Sequence, residues 1–148
     1  MKRVIVILML ALGALVVPAA AKSTKHTPPP TAKPHKCVPH GVAYVVSGTL
    51  VSGSLTKNSD KTYSGTVTVH VTRTNSHARA AKGTDQSYTL NHAKAKLHGE
   101  TAATLTASSR VRLSGKVTTL AKKCGHTGFT ATVTIKKADI KPPKPYTI

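Results

Sequence analysis

Histidine and cysteine are the residue types of this chain best suited to hold a metal ion, and several lie close together. His35-x-Cys37-x-x-His40 places three potential ligands within six residues, and His126 follows Cys124 by two. If the cysteines pair, the two histidine-bearing segments meet, and His35, His40 and His126 become a candidate copper or zinc site. The alternative is that exposed histidines beside a disulfide reflect a polar, basic composition.

The acidic residues give little basis for catalysis. They are Asp60, Asp85, Glu100 and Asp139, and none is close to another in the sequence. Acid–base catalysis needs a carboxylate or histidine held near a partner. The chain has no Gly-x-Ser-x-Gly elbow, no phosphate-binding glycine-rich loop and no His-Glu-x-x-His helix. The sequence therefore predicts a protein that is not an enzyme and needs no cofactor.

Basic residues dominate the charge of the chain. It has 22 lysines and arginines against 4 acids, a net charge of +18. Such an excess attracts anionic partners: wall polymers, acidic polysaccharides, anionic membrane surfaces or nucleic acid. Stacking on bases is not favoured, because the chain has four tyrosines, one phenylalanine and no tryptophan. The composition predicts weakly selective, salt-sensitive binding; the alternative is a structural envelope or matrix protein whose charge only maintains solubility.

The first 21 residues have the parts of a secretory signal peptide. Lys2 and Arg3 precede an apolar run of 14 residues at 4–17, and Ala19-Ala20-Ala21 forms a small-residue cleavage site. A spanning helix would need about 20 apolar residues. We therefore expect cleavage after residue 21, a secreted or cell-envelope location, and a monomeric mature chain without a membrane span.

The cysteines and prolines set the expected domain boundaries. An exported chain lies in an oxidising compartment, where Cys37 and Cys124 are expected to pair. The chain-entropy model assigns such a long loop about 4–5 kcal/mol of stabilisation. Residues 22–36 (KSTKHTPPPTAKPHK) and 141–148 (KPPKPYTI) are rich in proline and lysine. They are predicted to be a disordered linker and tail around a single domain at 37–140.

A period of two runs through that domain and predicts strands. Val67, Val69 and Val71 alternate with polar residues, and the pattern recurs at 111–117 and 129–135. In the last run Phe129, Ala131, Val133 and Ile135 are expected to face the core, with a bulge at Lys136-Lys137.

Two less regular strands are expected at 43–55, bent at its glycines, and at 87–97, with a slip near residues 91–92. Residues 100–108 are the expected place for a short helix or turn.

The order of these elements favours an all-β fold: a five-stranded OB-like barrel with at most one short helix. A β-sandwich is the alternative, although seven strands would be expected for it. The segment 109–117 (SRVRLSGKV) resembles the run that enters the fourth strand of uncharacterised small basic exported bacterial proteins with an OB-like domain of unknown function, with Ser108-Ser109 in place of their Gly-Asp. Residues 131–140 and 45–50 are similar to their closing and first strands. The resemblance implies export and the barrel, and no activity.

The candidate anion-binding residues follow from this fold. OB-type barrels bind on the face of strands two and three and on the flanking loops, which directs attention to His70, His92 and the basic loop 73–86, read as a flexible contact loop. A second stripe lies at strand spacing on the fourth strand. The predicted anion-binding residues are Arg73, His77, Arg79, Lys82, Lys94, Lys96, Arg110, Arg112 and Lys116.

Overall fold

The computed structural model describes residues 37–145. The predicted signal peptide, the linker at 22–36 and the last three residues of the tail lie outside this range. The elements are β1 (His40–Lys57), β2 (Tyr63–Thr74), a 3₁₀ helix (Ser76–Ala81), β3 (Asp85–Lys96), β4 (Arg110–Thr119) and β5 (Val133–Lys141). In the described range, no helix is both long and apolar enough to pass through a bilayer.

The alternating pattern on β2 and β4 places apolar side chains inside, as predicted. Val67, Val69 and Val71 are fully buried, and Leu113 is buried equally well on β4. Burying each such side chain is worth about 1.5–3 kcal/mol. The intervening threonines and cations lie outside because side chains of a strand alternate between its two faces.

The five strands form one sheet whose pairings close into a ring. β1 pairs with β2 and with β4, β2 pairs with β3, and β5 pairs with β3 and β4. The β3–β5 pairing is parallel and the others are antiparallel. β1, at 18 residues, is long enough to pair with both of its neighbours. Leu90, Leu113, Ile135 and Ile140 fill the interior.

Two glycines stand where strands approach too closely for a side chain. A Cβ on Gly48 would lie 1.9 Å from the carbonyl oxygen of His70, and a Cβ on Gly115 would lie 1.9 Å from that of Thr134. The register shifts beside both residues, between Ser47 and Gly48 on β1 and between Ser114 and Gly115 on β4. The pairing with β4 skips Lys136, so the bulge at Lys136-Lys137 is confirmed; the bends at Gly48 and Gly53 stay predictions.

The irregularity predicted in the third strand is also present. The pairing of β3 with β5 shifts between Leu90 and Lys94, and His92 has a positive φ of 48°. This local kink lets Leu90 and Ala93 both point into the core although they are three positions apart, a spacing that regular alternation would place on opposite faces.

The predicted start of the last strand was wrong. β5 begins at Val133, and of the expected core residues Phe129, Ala131, Val133 and Ile135 only Ile135 is buried. Residues 120–132 instead form the connection that carries Cys124. This connection lies beyond the sheet, so its alternating residues have no sheet face on which to pack.

Of the short helix or turn expected at 100–108, the turn is what forms, and the one short helix within residues 37–145 lies earlier in the chain. Residues 100–108 form bends and turns, because the backbone of this segment bonds to β1: Leu55 N–H donates to the carbonyl of Ala102, and Ser108 N–H donates to that of Leu50. The 3₁₀ helix lies within residues 73–86, interpreted above as a flexible loop. Its Ala78 and Ala81 are buried in the core, so this segment is packed onto the sheet.

The predicted disulfide between Cys37 and Cys124 is present, with the Cα atoms 5.7 Å apart and a sequence separation of 87 residues. It ties the residues just before β1 to the β4–β5 connection. Most of the domain therefore lies within the closed loop.

Candidate anion-binding surface

The chain has only four acidic side chains, and each of them forms an ion pair or a hydrogen bond with a neighbouring residue. Asp85 contacts His70 at 2.6 Å, Asp60 contacts His92 at 2.9 Å, and Asp139 contacts His98 at 3.0 Å. Glu100 accepts hydrogen bonds from the Ser109 hydroxyl and the Thr106 backbone N–H, and these bonds hold its pKa below the usual range. Three carboxylates therefore contact histidines, and the fourth accepts hydrogen bonds from the loop that precedes β4.

The lysines and arginines in the described part of the chain consequently carry charges without counter-charges. Every ion pair within residues 37–145 joins a histidine to an aspartate, and none involves a lysine or an arginine. Exposed side chains without a partner remain available to an external anion.

Many of these cations line three open depressions that adjoin one another. The first depression lies beside Lys96, the second beside Arg110 and the third beside Lys82. Arg112 and Asp139 line both the first and the second, and Arg73 lines both the second and the third. We call the continuous surface the basic track. Its ten cations are Lys94, Lys96 and Lys137 at one end, Arg110, Arg112, Lys141 and Lys144 in the middle, and Arg73, Arg79 and Lys82 at the other end.

Strand register explains why these side chains align. On the outer surface Arg73 of β2 is paired with Ser47 of β1, and Ser47 is paired with Arg112 of β4. Arg112 faces Asp139 of β5, which in turn faces Lys96 of β3. Paired strands lie about 4.8 Å apart, so this row brings charges from four strands within one Debye length of their neighbours, about 8–10 Å.

Asp139 is the only carboxylate that lines the basic track. Its Oδ1 is screened from solvent and makes no well-aligned hydrogen bond; its nearest partner is His98 Nε2, at 3.0 Å. Register places it between Arg112 and Lys96. It therefore offsets part of the repulsion between cations in the middle of the row.

The outer surface of β2 and β3 is different, and we call it the neutral face. Its outward residues are Thr66, Thr68, His70, Ser87, Thr89, Asn91 and His92. The hydroxyls of Thr68 and Ser87 bond to each other at 2.8 Å, and both histidines face aspartates. Hydrogen bonds from the Thr62 hydroxyl and from His92 lower the pKa of Asp60 to about 2, so this carboxylate remains charged at neutral pH.

The structure divides the residues predicted to bind anions. Seven of the nine line the basic track. His77 lies in a separate hollow beside Tyr44, and Lys116 packs over Gly41, with its Cδ 3.3 Å from where a Cβ of that glycine would lie. His70 and His92 belong to the neutral face, whereas the cations of strands two and three, Arg73, Lys94 and Lys96, line the basic track. The two lysines lie opposite β5.

Sequence reasoning missed three members of the basic track: Lys137, Lys141 and Lys144. The sequence pattern predicts Lys137 only as part of a bulge and places the other two in the tail. Once Ala138 and Ile140 are recognised as inward residues, the period of two places 137, 139 and 141 outside. That alternation was the signal available in the sequence.

The metal-site hypothesis gains no support from the described residues. Residues 37–145 contain no group of three histidine, cysteine or acidic side chains placed to hold an ion. His126 packs its ring edge-on against Phe129, with the ring centroids 6.4 Å apart. His35 lies outside the described residues, so the three-histidine site stays a prediction.

The aromatic side chains belong mainly to the core. Tyr44 and Tyr88 are buried, and their hydroxyls bond to each other at 3.0 Å. Burial, reinforced by the hydrogen bond to the hydroxyl of Tyr44, raises the pKa of Tyr88. Their rings are not exposed for stacking on a base.

Comparison with known proteins adds no relative: no family model, no curated protein and no solved structure matches the chain.

Proposed function

We propose that this protein is an exported, non-catalytic binding module, a monomer that associates electrostatically with an anionic partner through the basic track. One observation carries the proposal: ten cations from four strands and the flanking segments line one continuous surface, while the four carboxylates are engaged by histidines or by a loop. Clustered uncompensated charge raises the local concentration of an oppositely charged partner.

The proposed scaffold is an OB-like barrel. Two features support it: the long first strand that pairs with both β2 and β4, and the closed order β1-β2-β3-β5-β4 with β3 and β5 parallel. A five-stranded Greek-key barrel presents binding residues on its outer surface and adjacent loops. The proposed site differs from the usual one, because it runs from the end of β3 across β5, β4 and β1 to the end of β2.

Export is proposed from the signal-peptide pattern in residues 1–21 together with the Cys37–Cys124 disulfide. In that compartment the available polyanions are wall polymers, acidic polysaccharides and anionic lipid surfaces. A non-catalytic role is supported by the carboxylates, which are far apart in the sequence and hydrogen-bonded or ion-paired on the surface.

Salt-dependent retention tests the proposal. The oxidised protein should bind immobilised heparin at low ionic strength and elute as salt rises, with a log–log slope set by the number of ion contacts. The triple variant R110Q/R112Q/K141Q should elute at clearly lower salt than the matched variant K57Q/K61Q/K122Q, whose three cations lie off the basic track.

Both variants should melt at the temperature of the unchanged protein, because the replaced side chains are exposed. Retention that persists at high salt would contradict an electrostatic mode of binding. Equal retention of both variants and the unchanged protein would favour the alternative of a passive structural protein without a discrete site.

A further inference from the structure

The basic track winds around the sheet. It begins at Lys96, the last residue of β3, and crosses β5, β4 and β1 to reach Arg73 near the end of β2. Because β2 and β3 run antiparallel with His70 opposite Asp85, Arg73 lies near the segment just before β3. Lys82, in that segment, lines the same depression as Arg73.

The two ends of the basic track therefore bracket β3. One circuit of the other four strands leads from the end of β3 back to the residues that precede it. The crossing itself covers four strand spacings, about 19 Å. The path is a spiral, and the neutral face occupies the surface between its ends.

The spiral path of the basic track limits which kinds of anionic ligand can contact its whole length. In a closed sheet the side chains of β3, β4 and β2 point in different directions. A planar membrane or a straight, stiff duplex can contact only the cations on one side of such a sheet. A single flexible chain with regularly spaced anionic groups can follow the row from strand to strand.

We infer that the partner is a flexible linear polyanion, such as a polyphosphate or an acidic wall polymer, that wraps along the basic track and contacts both ends at once. This inference rests on the proposed function and specifies its ligand class. Contact with both ends makes binding depend on polymer length, because a short chain reaches only one cluster of cations.

Linear polyphosphate is a suitable probe, compared with tripolyphosphate as the short chain. Two variants each remove two cations from one end: K94Q/K96Q and R79Q/K82Q. K122Q/K123Q is the matched control, because it removes two exposed cations from the β4–β5 connection, off the basic track. Affinities are measured at one fixed salt concentration, and melting temperatures confirm that the variants fold.

For long polyphosphate, each end variant should lose on the order of tenfold in affinity, the combined variant should lose the product of the two factors, and the control should lose less than about threefold. Tripolyphosphate should bind more weakly, and no more than one end variant should affect it. Vesicles containing phosphatidylglycerol should be sensitive to one end at most.

Three results would overturn the inference. The first is equal losses in control and end variants, which would mean diffuse attraction to net charge; electrostatic association with an anion would stand, and its location at the two ends of the basic track would not. The second is vesicle binding that depends on both ends, which would indicate a membrane partner. The third is absence of binding to any of these polyanions at low salt, which would remove the proposed function as well.

Discussion

The basic track and the neutral face are two outer surfaces of the same closed sheet, built from the same kinds of strand residues, yet they differ in charge. Lysines and arginines are spread along the whole chain, whereas there are only four acids. Asp60 precedes β2 and Asp85 is the first residue of β3, and they contact His92 and His70 respectively. Cations are plentiful in this protein. The positions of its few carboxylates and of its hydroxyl-rich strand faces therefore determine where anions are attracted.

The row of cations depends on strand register, so the most damaging change should be one that disturbs register. Gly115→Ala places a Cβ against the Thr134 carbonyl oxygen at 1.9 Å, which forces β4 and β5 apart. We expect a loss of about 3 kcal/mol in the free energy of unfolding, measured by urea denaturation.

Gly125→Ala is the control, since nothing lies within 4 Å of an added Cβ there. It should change stability by less than about 0.5 kcal/mol. Equal stability of the two variants would show that close contact between β4 and β5 is not what positions the row.

Charge changes of the same size should have different effects on the two surfaces. Arg73→Gln with Arg112→Gln removes two positive charges from the basic track, and Thr66→Glu with Asn91→Glu adds two negative charges to the neutral face. We expect the first variant to lose about 30-fold in affinity for long polyphosphate, and the second less than about threefold, because screening confines each effect to its surroundings. Similar losses measured by titration calorimetry would mean that net charge alone governs binding.

Removing a carboxylate should strengthen binding only on the basic track. Asp139→Asn eliminates the single acid between Arg112 and Lys96, and we expect affinity for polyphosphate to rise about threefold. Asp85→Asn makes the same change in net charge beside the neutral face and should alter affinity by less than about 1.5-fold. A larger gain from Asp85→Asn would reverse the assignment of the two surfaces.

The smallest expected effect concerns acid stability at the edge of the neutral face. Because the pKa of Asp60 is lowered from 3.8 to about 2, its carboxylate stabilises the folded state above pH 4, and this contribution is lost as pH falls from about 4 towards 2. Asp60→Asn should therefore show a shallower fall in melting temperature across that range.

Thr62→Val provides a check that keeps the carboxylate and removes its main hydrogen-bond donor. The Asp60 pKa should rise towards its ordinary value, and the acid-dependent loss should weaken. An unchanged pH profile in both variants would mean that Asp60 has the same pKa in the folded and unfolded states.

Much of the fold could be predicted from local pattern. Alternation located all five strands approximately, and it identified the inward valines of β2 and the bulge at Lys136-Lys137. It failed at Phe129 and Ala131, because a short alternating run with threonines has the same appearance in a strand and in an exposed connection. The 3₁₀ helix was missed because Ala78 and Ala81 are held by tertiary packing, and six residues contain too little periodicity to identify.

The candidate site was predicted only in part, for a related reason. Cations can be read from the sequence, but their grouping depends on which strands are neighbours. The prediction joined Lys94 and Lys96 to His70 and His92 on one face, whereas the kink at His92 and the pairing with β5 direct the two lysines towards Arg112 and Lys137.

By itself the sequence determined the chemical character of the domain. It has an excess of positive charge, few aromatic residues, apolar residues at every second position of its strands, and two cysteines able to close the domain. These properties depend on residue type and on local spacing. The tertiary structure alone decided which cations share a surface, because register between strands distant in the sequence aligns Lys96, Arg112 and Arg73. It also decided which side chains contact the few carboxylates, because the histidine–aspartate pairs join residues from separate parts of the chain.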